Sequence, residues 1–126
     1  MNKQDLLKDM RIMIVDDEQD VLDTLVELLT MCRTETASTF EAAREKLIAG
    51  KFDTAILDIK GVDGYKLLEF ATERKITAVM LTAHALSPED TLKSHREGAA
   101  YYLPKEEMFD IERHLIDVLE AQAKGK

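Results

Sequence analysis

Residues 11–29 read RIMIVDDEQDVLDTLVELL, and the change of pattern inside this stretch decides the fold. Arg11 to Val15 is a short, nearly continuous apolar run, as expected of a strand buried on both faces of a parallel sheet. Three acids follow, Asp16, Asp17 and Glu18. Leu22, Leu25, Val26 and Leu29 then take up the i, i+3, i+4, i+7 stripe of an amphipathic helix. The same alternation recurs along the chain. Thr54 to Leu57 (TAIL) and Ala78 to Leu81 (AVML) are further buried strands, Arg33 to Ala37 is a weaker one with Thr at alternate positions, and Tyr101 to Leu103 is a short last one. Phe40, Ala43 and Leu47 mark one helix, and Met108, Ile111, Leu115 and Val118 another. Ser38 followed by Glu41, and Ser87 followed by Pro88 and Asp90, read as helix N-caps, while Gly50 and Gly98 fall where helices stop. A helix expected over Pro88–Glu97 has only Leu92 as a large apolar residue and should be the least firmly packed.

Strand followed by helix, five times in 126 residues, predicts an α/β domain: a flavodoxin-like doubly wound (βα)5 fold with a five-stranded parallel sheet in the order 2-1-3-4-5. Right-handed crossovers put helices on both faces. The length, with 45% hydrophobic and 33% charged residues, suits one domain over residues 1–126 with its core at about 10–120 and no room for an output domain. Seventeen basic against 25 acidic side chains give 17 − 25 = −8, which repels nucleic acid phosphates and anionic lipid. Neither nucleic acid nor a membrane is therefore an expected direct partner. A single Cys32, with no Cys/His cluster, suits a reducing compartment, and the first residues are too polar for a signal peptide. A cytoplasmic protein is expected.

In such a sheet the functional crevice lies outside the carboxyl ends of the strands. The first strand ends in Asp16-Asp17-Glu18 and the third in Asp58. Any one of these acids could be a helix cap or turn former. Carboxylates converging on one rim, however, demand a cation, and an all-oxygen set selects a hard ion such as Mg²⁺ or Mn²⁺. The fourth strand ends in Thr82-Ala83 and the fifth is followed by Lys105. A hydroxyl, an ammonium and a metal on one rim are what a phosphoryl group needs.

IMIVDDE at the first strand end, LDIKGVDG around Asp58, MLTAHA at Thr82 and GAAYYLPK leading to Lys105 make the chain resemble the receiver domains of two-component response regulators over residues 10 to 120. The resemblance implies that Asp58 accepts a phosphoryl group from a histidine kinase or phosphotransfer protein. It implies that Asp16, Asp17, Asp58 and the main-chain carbonyl of Lys60 hold Mg²⁺. Thr82, with Ala83 beside it, and Lys105 would bind the phosphoryl oxygens. Tyr102 would be the switch aromatic, and the surface of the fourth helix, fifth strand and fifth helix would change. The signal would leave through a partner protein or an output domain outside this chain. The chain itself would be a monomer or weak dimer, turning over no separate substrate.

Two departures stand out. Family members usually have a Pro four residues after the acceptor and Asp-Gly at seven and eight, whereas Asp63-Gly64 here fall five and six after Asp58. Gly61 is expected to supply the tighter turn, and Lys60 could lean over the site. Pro104 precedes Lys105 instead of following it, which moves any cis candidate to Leu103–Pro104. His84, two after Thr82, could modulate hydrolysis. His95 and His114 read as surface residues and Cys32 as a small buried one. The alternative functions are a receiver-like interaction module that takes no phosphate, a flavin-mononucleotide protein on the same fold, and an aspartyl phosphatase. The last two fit poorly. Asp-Asp-Glu after the first strand is no phosphate loop, and a phosphatase generally wants a second Asp two residues after its nucleophile, where Glu18 follows Asp16.

Overall fold

In the computed structural model, which describes residues 3–59, 61–82, 96 and 98–124, the quoted stretch folds as β1 (Arg11–Val15) and α1 (Gln19–Leu28). The chain continues through β2 (Arg33–Ala37), α2 (Phe40–Ala49), β3 (Thr54–Asp58), α3 (Gly64–Glu73), β4 (Thr77–Thr82) and β5 (Tyr101–Pro104). A 3-10 turn (Lys105–Asp110) then leads into the C-terminal helix (Ile111–Ala123). All strand pairs are parallel, in the order β2-β1-β3-β4-β5. The helix expected over Pro88–Glu97, its cap Ser87, and Lys60, Ala83, His84 and His95 lie outside the described residues, or largely so in the case of the helix.

The apolar runs are continuous because alternate side chains enter two different cores. Ile12, Ile14, Ile56, Val79, Leu81 and Leu103 face the layer formed by α1 and the C-terminal helix, with Leu22, Leu25, Leu29, Ile111 and Leu115. Met13, Val15, Leu57, Met80 and Tyr102 face the layer of α2 and α3, with Leu47, Leu67 and Leu68. Leu7, ahead of β1, is fully buried in the first of these cores. The outermost strands are less apolar. On β2, Arg33 and Glu35 are exposed, and Arg11 Nη2 on β1 meets Glu35 Oε2 at 3.6 Å.

Several local expectations are corrected. Thr39, not Ser38, caps α2: its hydroxyl accepts from Ala42 N at 3.1 Å. Gly50 does cap the end of α2, and Gly98 has φ +98°, the left-handed region that favours glycine. Met108 belongs to the 3-10 turn, half-buried, and not to the C-terminal helix. No described peptide bond is cis. His114 is buried, its ring 5.2 Å from that of Tyr101 and its Nε2 3.5 Å from Glu107 Oε1. It lies three residues after Ile111 on the buried face, so the helical period outweighs its polarity. Cys32 is only half-buried; its thiol donates to the Leu7 carbonyl, and burial, aided by the Glu112 charge, pushes it up to about 11.

Val26 lies on the stripe read from sequence, yet it is 37% exposed, while Val21 takes its place at 7%. The two halves of that stripe therefore carry unequal energies. Leu25→Ala, at a fully buried position, is expected to cost about 3 kcal/mol of stability, and Val26→Ala less than about 1 kcal/mol, in urea unfolding.

Candidate functional site

Parallel pairing sets the carboxyl ends of β1, β3, β4 and β5 side by side, so the residues that close them share one rim. Asp16 follows β1 and is fully buried; Asp58 closes β3 and is 5% exposed. The register that pairs Val15 with Leu57 and Asp58 with Leu81 brings the first two acids together and places Thr82 next along the rim. Thr82 in turn pairs with Pro104, which delivers Lys105 to the same edge.

Lys105 is the hub. Its ammonium lies 2.6 Å from Glu18 Oε1, 2.9 Å from Asp16 Oδ2 and 3.4 Å from Asp58 Oδ1. Burial disfavours that charge, but hydrogen bonds to Glu18 and Asp16 and the charges of Asp16 and Asp58 outweigh it and hold the lysine above its usual pKa. Asp16 is shifted the other way from a usual ion pair: burial raises its pKa, with Asp58 adding to the effect. The Glu18 N–H and Lys105 only partly offset this.

Glu18 sits at the N-cap of α1 but its side chain caps nothing. Its N–H instead donates to Asp16 Oδ1 at 2.8 Å, and its carboxylate reaches Lys105. Oxygens of Asp16, Asp17 and Glu18 fall within 4.8 Å of one another, a hard-ligand set on which a divalent cation can be held. Asp16 is sealed from water, with the Glu18 N–H on one oxygen and the Lys105 ammonium on the other, and the exposed Asp17 and Glu18 beside it offer further oxygens that could complete a cation's ligands.

The shortened loop after Asp58 closes differently from the sequence expectation. Among the described residues Gly61 has no positive φ; Asp63 supplies the left-handed residue, at φ 55° and ψ 55°. Gly64 N then donates to Ile59 O at 3.0 Å, and Ile59 N to Leu81 O at 3.0 Å. A Cβ on Gly64 would lie 2.1 Å from the Asp58 carbonyl oxygen, so the loop returns onto its own start. Gly61 has a different task. Its N–H donates to Asp58 Oδ2 at 3.0 Å, and a Cβ there would lie 2.3 Å from the Asp17 carboxylate carbon. Tyr102, the residue singled out as a switch aromatic, is buried in the core of the α2–α3 face, on the strand position paired with Met80. Tyr101 points to the other face, half-buried, its ring tilted against that of His114.

Asp16, Asp17, Asp58, Thr82 and Lys105 are marked in the sequence by their places at or after strand ends, whereas Glu18 takes its part only from Lys105, 87 residues away in sequence.

The fold and this rim define a receiver-type α/β domain, and comparison with known proteins agrees. Residues 12–117 match the response regulator receiver domain model. The chain is 36% identical over 118 residues to two-component response regulator ARR10 of Arabidopsis thaliana, covering 85% of this chain and 21% of that protein. It is 32% identical over 128 residues to ORR24 of Oryza sativa subsp. japonica, covering 93% and 20%. The chain thus spans about a fifth of the length of these curated relatives. Among solved structures, a CheY-like receiver domain protein of Methanospirillum hungatei JF-1 superposes with TM-score 0.73 at 28% identity, over 92% of this chain and 98% of that one. The Thermotoga maritima response regulator DrrB gives 0.79 at 25%, over 90% and 54%. The chain belongs to the response regulator receiver domain family of two-component systems.

The two loop glycines separate stability from ion binding. Gly64→Ala meets backbone and is expected to lower stability by about 2–3 kcal/mol. Gly61→Ala meets only the exposed end of Asp17, so it should cost less than about 1 kcal/mol while displacing that carboxylate and weakening Mg²⁺ binding. Urea unfolding and calorimetric titration read the two effects; equal stability losses would contradict this account.

Proposed function

We propose that Asp58 is the phosphoacceptor of this receiver domain. The observation that carries the reading is the Lys105 ammonium between Asp16 and Asp58, at 2.9 and 3.4 Å: nucleophile, acid pair and cation meet at one buried rim. An Asp58 carboxylate oxygen attacks the phosphorus of a phosphohistidine or small acyl phosphate in line. The new O–P bond forms as the bond to the imidazole nitrogen or acyl oxygen breaks, and the leaving group takes the electron pair. Asp16, Asp17, Asp58 and the Lys60 main-chain carbonyl would hold Mg²⁺ or Mn²⁺, which would supply charge neutralisation at the transferring group. The Gly61 N–H, already directed at Asp58 Oδ2, fixes the orientation of the carboxylate.

The product places extra negative charge beside Thr82 and Lys105. Lys105 turns its ammonium to the phosphoryl oxygens, and the Thr82 hydroxyl, with the Ala83 backbone beside it, donates to them. Tyr102, two positions ahead of Pro104 on the strand that pairs with β4, follows Thr82, and a pre-existing alternative packing of the β5 side gains population. His84, two residues after Thr82, and Lys60, two after Asp58, are the side chains we assign to tuning hydrolysis, on their places in the sequence alone.

On this reading the donor is a histidine kinase or phosphotransfer protein, and the signal passes to a protein partner or to another part of a longer chain. The domain acts in the cytoplasm as a monomer or weak dimer and catalyses only its own phosphorylation and dephosphorylation. Incubation with acetyl phosphate and Mg²⁺ followed by intact-mass measurement should show a single phosphoryl adduct on the parent chain, which does not form when Mg²⁺ is chelated beforehand and is absent from Asp58→Asn. No adduct on the parent chain would instead favour an interaction module that takes no phosphate.

A further inference from the structure

Lys105 and a divalent cation claim the same oxygens. Asp16 Oδ1 takes the Glu18 N–H and Oδ2 faces the ammonium at 2.9 Å. A cation arriving at Asp16 therefore meets a fixed positive charge at close range, and Asp16 is too buried for water to screen the two. The lysine must give way. It cannot simply follow Asp58, whose carboxylate is itself a proposed ligand and already receives the Gly61 N–H.

Glu18 provides the alternative. Of the three carboxylates it makes the shortest contact with Lys105, 2.6 Å, and it is the only one on the solvent side, its side chain 59% exposed against 0% for Asp16 and 7% for Asp58. The Lys105 stem has four rotatable carbons, so its head can pivot about Glu18 while the stem stays packed. Glu18 itself is free to receive it, since its backbone, not its side chain, serves the start of α1.

We propose that Glu18 is a positioning residue that retains the Lys105 ammonium at the rim when a divalent cation takes Asp16, and so permits metal and lysine to occupy the site together. The proposal rests on the metal-site reading given above. With Glu18 in place, the ammonium moves outward to a waiting anion. Without it, Lys105 settles on Asp16 and Asp58 and opposes the metal, or is lost to solvent once the metal is bound. Glu18 thereby acts on the metal through Lys105 and not as a ligand.

That distinction sets the test. Mg²⁺ dissociation constants are measured calorimetrically for the parent chain, Glu18→Gln, Lys105→Met and the double variant. Glu18→Gln is expected to raise the constant about tenfold in the parent background and less than about twofold beside Lys105→Met, a coupling within the range of contacting charged groups. The same loss in both backgrounds would make Glu18 a ligand or a mere source of negative charge and overturn the proposal; so would no loss in either, or no Mg²⁺ binding by the parent chain. Nuclear magnetic resonance of the labelled Lys105 ammonium gives a second readout. Its signal should persist on Mg²⁺ saturation of the parent chain and broaden into solvent exchange in Glu18→Gln, and identical behaviour of the two proteins would overturn the proposal as well. Acetyl phosphate labelling of the parent chain reads the acceptor assignment separately. Coupling without an adduct removes the phosphoryl reading alone, and an adduct without coupling removes only the part given to Glu18.

Discussion

One ammonium balances the carboxyl-end rim of this sheet. Asp16 is sealed from water, Asp58 nearly so, and the two acids stand at the ends of neighbouring strands; ionised and left alone, their repulsion and desolvation would work against the very pairing of β1 with β3. Lys105 resolves the conflict from the far side of the sheet, arriving on the turn after β5. The order of the strands is therefore tied to the chemistry. With β4 between β3 and β5, and β1 on the other side of β3, the lysine and the two acids meet across four strands at one rim.

The same constraint explains the irregular segments. The loop from Asp58 to Gly64 is drawn so tight that its last residue rests on the carbonyl of its first, and the Gly61 N–H within it is directed at the Asp58 carboxylate. Asp63 adopts a left-handed conformation to allow it, at a cost that a non-glycine residue bears only where the surroundings leave no other path. The 3-10 turn after Lys105 lies against the C-terminal helix, where the buried His114 Nε2 is 3.5 Å from Glu107 Oε1.

What the sequence made legible follows from what is periodic or local. Apolar runs at 11–15, 54–57 and 78–81 announced the central strands because both sheet faces are covered, and their closing residues announced the rim. Less legible was anything decided by a neighbour distant in the chain. Val26 satisfies the helical stripe but looks outward, because the face of α1 that meets the core runs through Val21, Leu22, Leu25 and Leu29. His114 reads as a polar surface residue until β5 places Tyr101 against its ring. Ser38 and Thr39 are equally good caps on paper, and only the start of α2 separates them. Gly61 looked like the turn residue because glycine is permissive, whereas the turn uses Asp63 and the glycine serves the close approach to Asp17.

The two outer strands have a consequence for how such a domain can meet others. β2 carries outward-facing Arg33 and Glu35, one of them paired to Arg11, and β5 ends in Pro104, which has no N–H to offer. Each margin of the sheet is thus poorly suited to accept a further strand from another chain. Recognition by backbone ladder is disfavoured at both ends, so a protein that reads this domain has to do so through side chains of its helices and loops.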